Sequence, residues 1–412
     1  MTSSEYNKTV LSNGLTVVSE KIPTVRSVTI GVWIKAGGRD EDSRVAGTAH
    51  FVEHMLFKGT KKRSARAIAR SLESVGGYLN AFTTKEQTCY YAEILDTQLG
   101  LAVDVLADMV CNSTLLEKEI EKERDVILDE IDSVEDTPDD LVQDIFMEKL
   151  YPANGLGIPI LGYRESVARI GRENLVAFFE KYYRAGNLVI AAAGNLDHSK
   201  LVNLCEKKFS LPEGPADNGG INPAEFGNGM FSYDRSVHQA HICLGTTALP
   251  YHHHRKFELL LLNTLLGAGM SSRLYQNIRE RHGVAYSIYS FVDFFRDNGL
   301  FGIYLGTEKS KIRKALQLLE KEFDRLKQKT VSDKEMRELK MQVKGGLVLG
   351  LESTARRMNR LAKTEIYLQA FTDLDDVIKQ IDQVTGEQMT ALSEELIQPE
   401  RMLQVMFVPA NA

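Results

Sequence analysis

Val28, Ile30, Val32 and Ile34 alternate with Ser27, Thr29, Gly31 and Trp33, the period of two that marks a strand. A polar turn, Gly37-Gly38-Arg39-Asp40, follows it. Helical spacing then runs over 48–57 and is stopped by Lys58-Gly59-Thr60. A second helix is predicted over 65–75, where Gly76-Gly77 supplies the usual C-terminal signal. Strand patterns resume over 78–82 and 88–95. Helices are expected over 99–110 and 116–134, the latter with charges around an apolar stripe of Ile120, Val126, Ile127 and Ile131. The apolar run 188–194 reads as a buried strand.

The stretch LPEGPADNGGINPAEF, 211–226, is crowded with Pro, Gly, Asn and Asp and reads as a linker near the midpoint. Beyond it the pattern gives a strand over 237–246 and a helix over 258–266. Gly267-Ala268-Gly269 breaks that helix; a phosphate loop would need a following Lys-Ser/Thr, which is missing. A helix over 272–281, strands over 286–291 and 300–305, and helices over 309–327 and 333–349 follow. The order strand, helix, helix, strands, long helices thus occurs twice. LEKEIEKERDVILDEI in the first half even aligns by eye with SDKEMRELKMQVKGGL in the second. This points to duplication. Strands and helices are mixed rather than strictly alternating, so the expected class is α+β: two homologous domains, each a mainly antiparallel sheet with packed helices. Their boundaries are expected at 1–210 and 227–412.

Composition narrows the function classes. The chain has 412 residues, 43% of them hydrophobic and 26% charged, with a net charge of −6. That is ample ordinary globular material for a core, and it argues against broad electrostatic capture of nucleic acid or of an anionic membrane. Cys89, Cys111, Cys205 and Cys243 are too few and too scattered for a disulfide framework, so reduced thiols are expected. The start, MTSSEYNKTVLSNGLTVVSE, shows no basic segment leading into an apolar one, and no apolar run is long enough to span a membrane. A cytoplasmic location is expected; a mature organellar protein without its leader would read the same.

Chemistry concentrates at His50-Phe51-Val52-Glu53-His54. On a helix, His50 and His54 project from one face one turn apart, a spacing that lets two imidazoles reach one zinc ion. Glu53 can point to the open side of that ion and accept a proton from water acidified there. The motif is HExxH inverted. Phe51, Val52, Met55, Leu56 and Phe57 make this a largely buried helix, where two histidines and a glutamate are costly without a metal or hydrogen bonds. A catalytic zinc needs a third protein ligand and an open position. Glu123 and Glu130, seven apart on the expected helix over 116–134, share a face, so one could bind the ion while the other orients a ligand. The residues alone do not choose between them or dismiss Glu119. His252-His253-His254 reads as a surface turn, because adjacent side chains point different ways. The acidic run 129–140 reads as a solvated helix end followed by the Pro138 turn.

These residues sit in text that resembles the inverzincin family of pitrilysin, insulin-degrading enzyme and the mitochondrial processing peptidase, closest to its β-subunit and bacterial single-chain relatives. The matching blocks are GTAHFVEHMLFKGT, GGYLNAFTTKEQTCYYAEIL, EKERDVILDEI, PILGYRESV, AGNLVIAAAGNLDH and SSRLYQNIRERHGVAYSIYS, spread over nearly the whole chain. The resemblance implies one zinc per chain, held by His50, His54 and Glu130, with Glu123 as the carboxylate behind a ligand and Glu53 as general base. It implies that Arg279 and Tyr286, seven apart in the second domain, serve the reaction, Tyr286 as donor to the developing oxyanion. It also implies that Asn80, Ala81 and Phe82 receive the peptide as an added strand. The activity implied is zinc-dependent endopeptidase action on oligopeptides or unfolded polypeptide, inside a chamber enclosed by the two domains of a homodimer-forming chain. The alternative is a non-catalytic scaffold or peptide-binding subunit; relatives of that kind typically lose motif residues that are all present here.

Overall fold

The structure is a computed structural model that describes residues 5–216 and 226–410. The expected linker over 211–226 therefore falls mostly outside the described residues. Its first part is tied down by backbone bonds from Ala185 to Pro212 and from Gly186 to Gly214.

Two compact units are present. One comprises Met1–Asp132, Ile158–Gly220 and Gly350–Phe371, the other Ser133–Gly157, Ile221–Leu349 and Thr372–Ala412. Numbering elements in chain order, the first unit holds strands β1 (Glu5–Val10), β2 (Thr16–Lys21), β3 (Ser27–Ile34), β4 (Tyr78–Thr83), β5 (Thr88–Leu95) and β6 (Leu188–Gly194). Its helices are α1 (Thr48–Leu56), α2 (Ala65–Glu73), α3 (Leu99–Asn112), most of α4 (Glu117–Glu135), α6 (Arg164–Val167), α7 (Arg172–Tyr182), α8 (His198–Lys208) and α12 (Thr354–Leu368). The second unit holds β7 (Gly229–Arg235), β8 (Ala240–Ala248), β9 (Ala285–Phe294), β10 (Gly299–Thr307) and β11 (Leu403–Pro409). Its helices are α5 (Pro138–Leu150), α9 (Lys256–Leu266), α10 (Ile312–Gln328), α11 (Asp333–Gly350), α13 (Leu374–Gln383) and α14 (Gly386–Leu396).

The sheets run β1-β2-β6-β3-β5-β4 and β7-β11-β8-β10-β9. With β1 set aside the two orders coincide, β2 with β7, β6 with β11, β3 with β8, β5 with β10 and β4 with β9. Each sheet has one parallel pair, β2 with β6 and β7 with β11; the other pairings are antiparallel. The chain is thus two domains of one α+β topology.

Both faces of the first sheet are buried along its central strands β2, β6, β3 and most of β5. Val28, Ile30, Val32 and Ile34 join the core with α1 and α3. The opposite face, which carries Trp33, is covered by α12: Met358, Leu361 and Ala362 pack on Val18, Trp33, Cys89, Val189, Ala191 and Ala193. Small residues allow that approach. A side chain at Gly31 would place its Cβ 2.8 Å from Met358 Sδ. In the second unit α5 has the matching role, with Val142, Phe146 and Leu150 packed on Cys243, Val405 and Phe407. Each half of the chain therefore gives one helix to the other half's sheet, across the division expected at 210–227.

Local differences from the sequence reading have simple causes. Val126 is exposed; the buried stripe of α4 is Ile120, Glu123, Ile127 and Ile131. The strand read from 237 begins at Ala240, because the preceding residues turn the chain past the place taken by β11. Tyr275–Arg281 winds as a π-helix rather than an α-helix. All four cysteines are free thiols. Among the described residues no helix is long and apolar enough to cross a membrane.

Candidate metal centre

α1 packs through Phe51, Val52, Met55 and Leu56, all at most 1% exposed. That anchors its other side, where the His50 and His54 rings lie edge to face with centroids 4.5 Å apart. α4 brings its carboxylates to this side. His50 Nε2 is 3.8 Å from one oxygen of Glu130, and His54 Nε2 is 3.8 Å from the other. One ligand atom from each of the three lies within 4.8 Å of the others, the one such His, Cys, Asp and Glu group among the described residues. Two ligands at zinc distance in tetrahedral geometry stand about 3.3 Å apart. The three side chains thus face a common point at nearly the separation a zinc ion requires, and they are too far apart to satisfy each other by hydrogen bonds.

The tautomer of His54 suits this role. Its Nδ1 donates to Glu123 Oε2 at 3.1 Å, leaving the Nε2 lone pair toward Glu130. Glu123 is buried on the apolar stripe of α4, and its other oxygen pairs with Lys58 Nζ at 2.6 Å. His50 has no such partner: its Nδ1 is buried and makes no hydrogen bond among the described residues. Burial, helped by the nearby His54, pushes the His50 imidazole down to about 3, so at neutral pH it presents a lone pair rather than a proton.

Glu53 is buried beside this group. Burial raises its carboxyl, aided by Glu130 and opposed by the Thr83 hydrogen bond and by His54. A carboxylate made more basic in this way suits proton abstraction. Thr83 Oγ1 donates to Glu53 Oε2 at 2.5 Å. Thr83 ends β4, the free edge of the first sheet, on which Asn80, Ala81 and Phe82 lie. Asn80 Nδ2 donates to Tyr78 Oη, and its Oδ1 accepts from the Ala81 amide. Phe82 instead turns toward Trp33, edge to face at 5.4 Å.

Arg279 and Tyr286 belong to the second unit. The Arg279 guanidinium lies 4.7 Å over the Tyr275 ring. Tyr286 is 51% exposed and its hydroxyl donates to Glu308 at 2.7 Å, which holds the phenol above its usual range. His253 and His254 stack on each other, and His253 Nδ1 accepts from the Arg255 amide, so the histidine run forms no ligand group.

Sequence reasoning missed Thr83 and Lys58. Strand alternation puts Thr83 on the face of Leu79 and Ala81, which pack toward the core, and Lys58 lies one helical turn beyond His54. Thr83 yields a direct prediction. A hydrogen bond to a charged group is worth about 1.5–3 kcal/mol. If Glu53 serves as a base beside a bound metal, Thr83→Val is expected to lower kcat about 10- to 100-fold with metal content unchanged, and Thr83→Ser to restore it. Wild-type kcat in the valine variant would remove Thr83 from the proton-handling apparatus.

Two family models match successive parts of the chain. Residues 16–164 match the model described as insulinase (peptidase family M16), and residues 169–343 match the one described as peptidase M16 inactive domain. A Bacillus subtilis protein named uncharacterized zinc protease YmxG is 40% identical over 399 residues, covering 97% of each chain. An uncharacterized zinc protease of Streptomyces coelicolor is 39% identical over 407 residues, covering 97% of this chain and 89% of its own. The crystal structure of a protease from Helicobacter pylori superposes with a TM-score of 0.90 at 22% identity, covering 98% of this chain and 100% of that one. A Pseudomonas fluorescens structure described as a peptidase M16 inactive domain gives 0.91 at 23% identity, covering 99% of each. At such identities these two structures speak to the fold.

Proposed function

From its membership of the insulinase family, peptidase family M16, to which the chain belongs, we propose that the protein is a zinc-dependent endopeptidase acting on oligopeptides and unfolded segments. The observation that carries this is the convergence of His50, His54 and Glu130 on one point with Glu53 beside it.

Bound there, one zinc ion would supply Lewis acidity, acidifying water and polarising a carbonyl. Glu53 takes the proton from the attacking water and returns it to the leaving amine. Thr83 aims the Glu53 carboxylate. Glu123, held by Lys58, fixes the His54 ring. The free edge of β4 at Asn80–Phe82 accepts the peptide as an added strand, so main-chain hydrogen bonds supply affinity with little demand on side-chain identity. Tyr286 donates to the carbonyl oxygen as charge develops on it, and Arg279 helps to hold substrate. An enclosing chamber and a homodimer belong to the same proposed function, so folded proteins are expected to be poor substrates.

A peptide-cleavage assay with and without a chelator tests the function. Cleavage that stops on chelation and returns with zinc supports it. Peptide binding without cleavage, in protein with a full complement of zinc, would favour a non-catalytic, peptide-holding subunit instead.

A further inference from the structure

An α-helix starts with backbone N–H groups that have no acceptor inside the helix, and the residue before it normally supplies one from its side chain. α1 lacks that option. The residue in the capping position is Gly47, at φ +97°, and a Cβ there would stand 2.5 Å from the Leu161 carbonyl oxygen. Glu41 fills the role from outside the helix. Its Oε2 accepts from the Gly47 amide at 2.6 Å, and its Oε1 accepts from the Ala49 amide at 2.5 Å. Burial pushes this carboxyl up to about 8, against the pull of the two amides and the Lys85 charge.

Ala49 immediately precedes His50. The two histidines of the metal centre are secured differently: His54 through its ring by Glu123, while the His50 ring has no hydrogen bond at Nδ1 among the described residues. The direction of the His50 ring therefore depends on where the first turn of α1 is held.

We propose that Glu41 is a positioning residue for the metal centre, gripping the amides of Gly47 and Ala49 so that His50 faces the same point as His54 and Glu130. This rests on the reading of His50, His54 and Glu130 as metal ligands. Glu41 itself touches neither metal nor substrate.

The test uses full-length wild type, Glu41→Ala and Glu41→Gln. Zinc affinity is measured by competition with a chromophoric chelator, and the visible spectrum of each cobalt(II)-loaded protein is recorded at saturation. Glu41→Ala is expected to bind zinc about 10- to 100-fold more weakly. Its cobalt spectrum should change, while the far-ultraviolet circular dichroism and Trp33 emission of the metal-free protein stay those of wild type. Glu41→Gln keeps one carbonyl acceptor and should recover part of the affinity and of the spectrum. Zinc affinity within twofold of wild type in a folded Glu41→Ala protein overturns the inference. If that variant does not fold, Glu41→Gln decides: several-fold weaker zinc binding supports the inference, and unchanged binding overturns it. A wild-type protein that takes up neither metal overturns the metal-centre reading and this inference with it, whereas strong binding by both wild type and Glu41→Ala overturns the inference alone.

Discussion

Glu53→Gln is expected to lower peptide turnover about a thousandfold, or more, while the protein keeps its zinc. The two side chains have nearly the same shape. The carbonyl oxygen of a glutamine at 53 can still accept the Thr83 hydrogen bond that Glu53 Oε2 accepts now. His50, His54 and Glu130 are untouched, so the metal centre should assemble as before. What disappears is basicity: an amide takes no proton from water and returns none to a departing amine. The check has two parts, kcat on a fluorogenic peptide and zinc content by atomic absorption, both on the same preparation. Lost activity together with lost zinc would mean that Glu53 matters to the site as scaffolding. Activity near wild type would assign the base to some other group.

Much of this candidate centre is legible in the sequence. A four-residue spacing of histidines on an amphipathic stretch determines which way both rings face, because helical geometry is local. Local pattern could not decide between Glu123 and Glu130, which share a face of α4. Their difference lies in depth. Glu123 sits on the buried stripe with Ile120, Ile127 and Ile131, where its charge needs His54 and Lys58 as partners. Glu130 stands at the more open rim, with its side chain 41% exposed. Glu41 escaped the reading for another reason. Its residue lies in an aperiodic turn, and its importance comes from a capping position that a close carbonyl denies to any side chain. The fold class and the repeat were readable from element order. The placement of α12 and α5 was not: periodicity states that a helix has an apolar face and leaves its partner unnamed.

That unnamed partner gives the other large expected effect. Met358, Leu361 and Ala362 follow helical spacing along α12, and all three are at most 2% exposed against the outer face of the first sheet. That face was built to be covered. β6 presents Val189, Ala191 and Ala193 to it, Gly31 leaves room for Met358, and Thr29 meets Thr354 through their hydroxyls at 2.8 Å. Leu361→Asp would remove an apolar side chain from this contact and bury a carboxylate with no partner. Losses of this kind exceed about 4 kcal/mol, set against a total stability of roughly 5–15 kcal/mol. The first unit is expected to lose its fold, and with it zinc binding, although residue 361 lies in the opposite half of the sequence from His50. The chain's single tryptophan supplies the readout. Trp33 is fully buried and its Nε1 donates to Met358 Sδ at 3.1 Å, so its emission should shift to the red as α12 leaves. Lys363→Asp, an acidic substitution on the exposed side of the same helix, should leave both emission and zinc content unchanged. If Leu361→Asp kept a buried tryptophan and full zinc, the first sheet would be stable without α12, and the halves of this chain would be independent domains rather than partners that complete each other's cores.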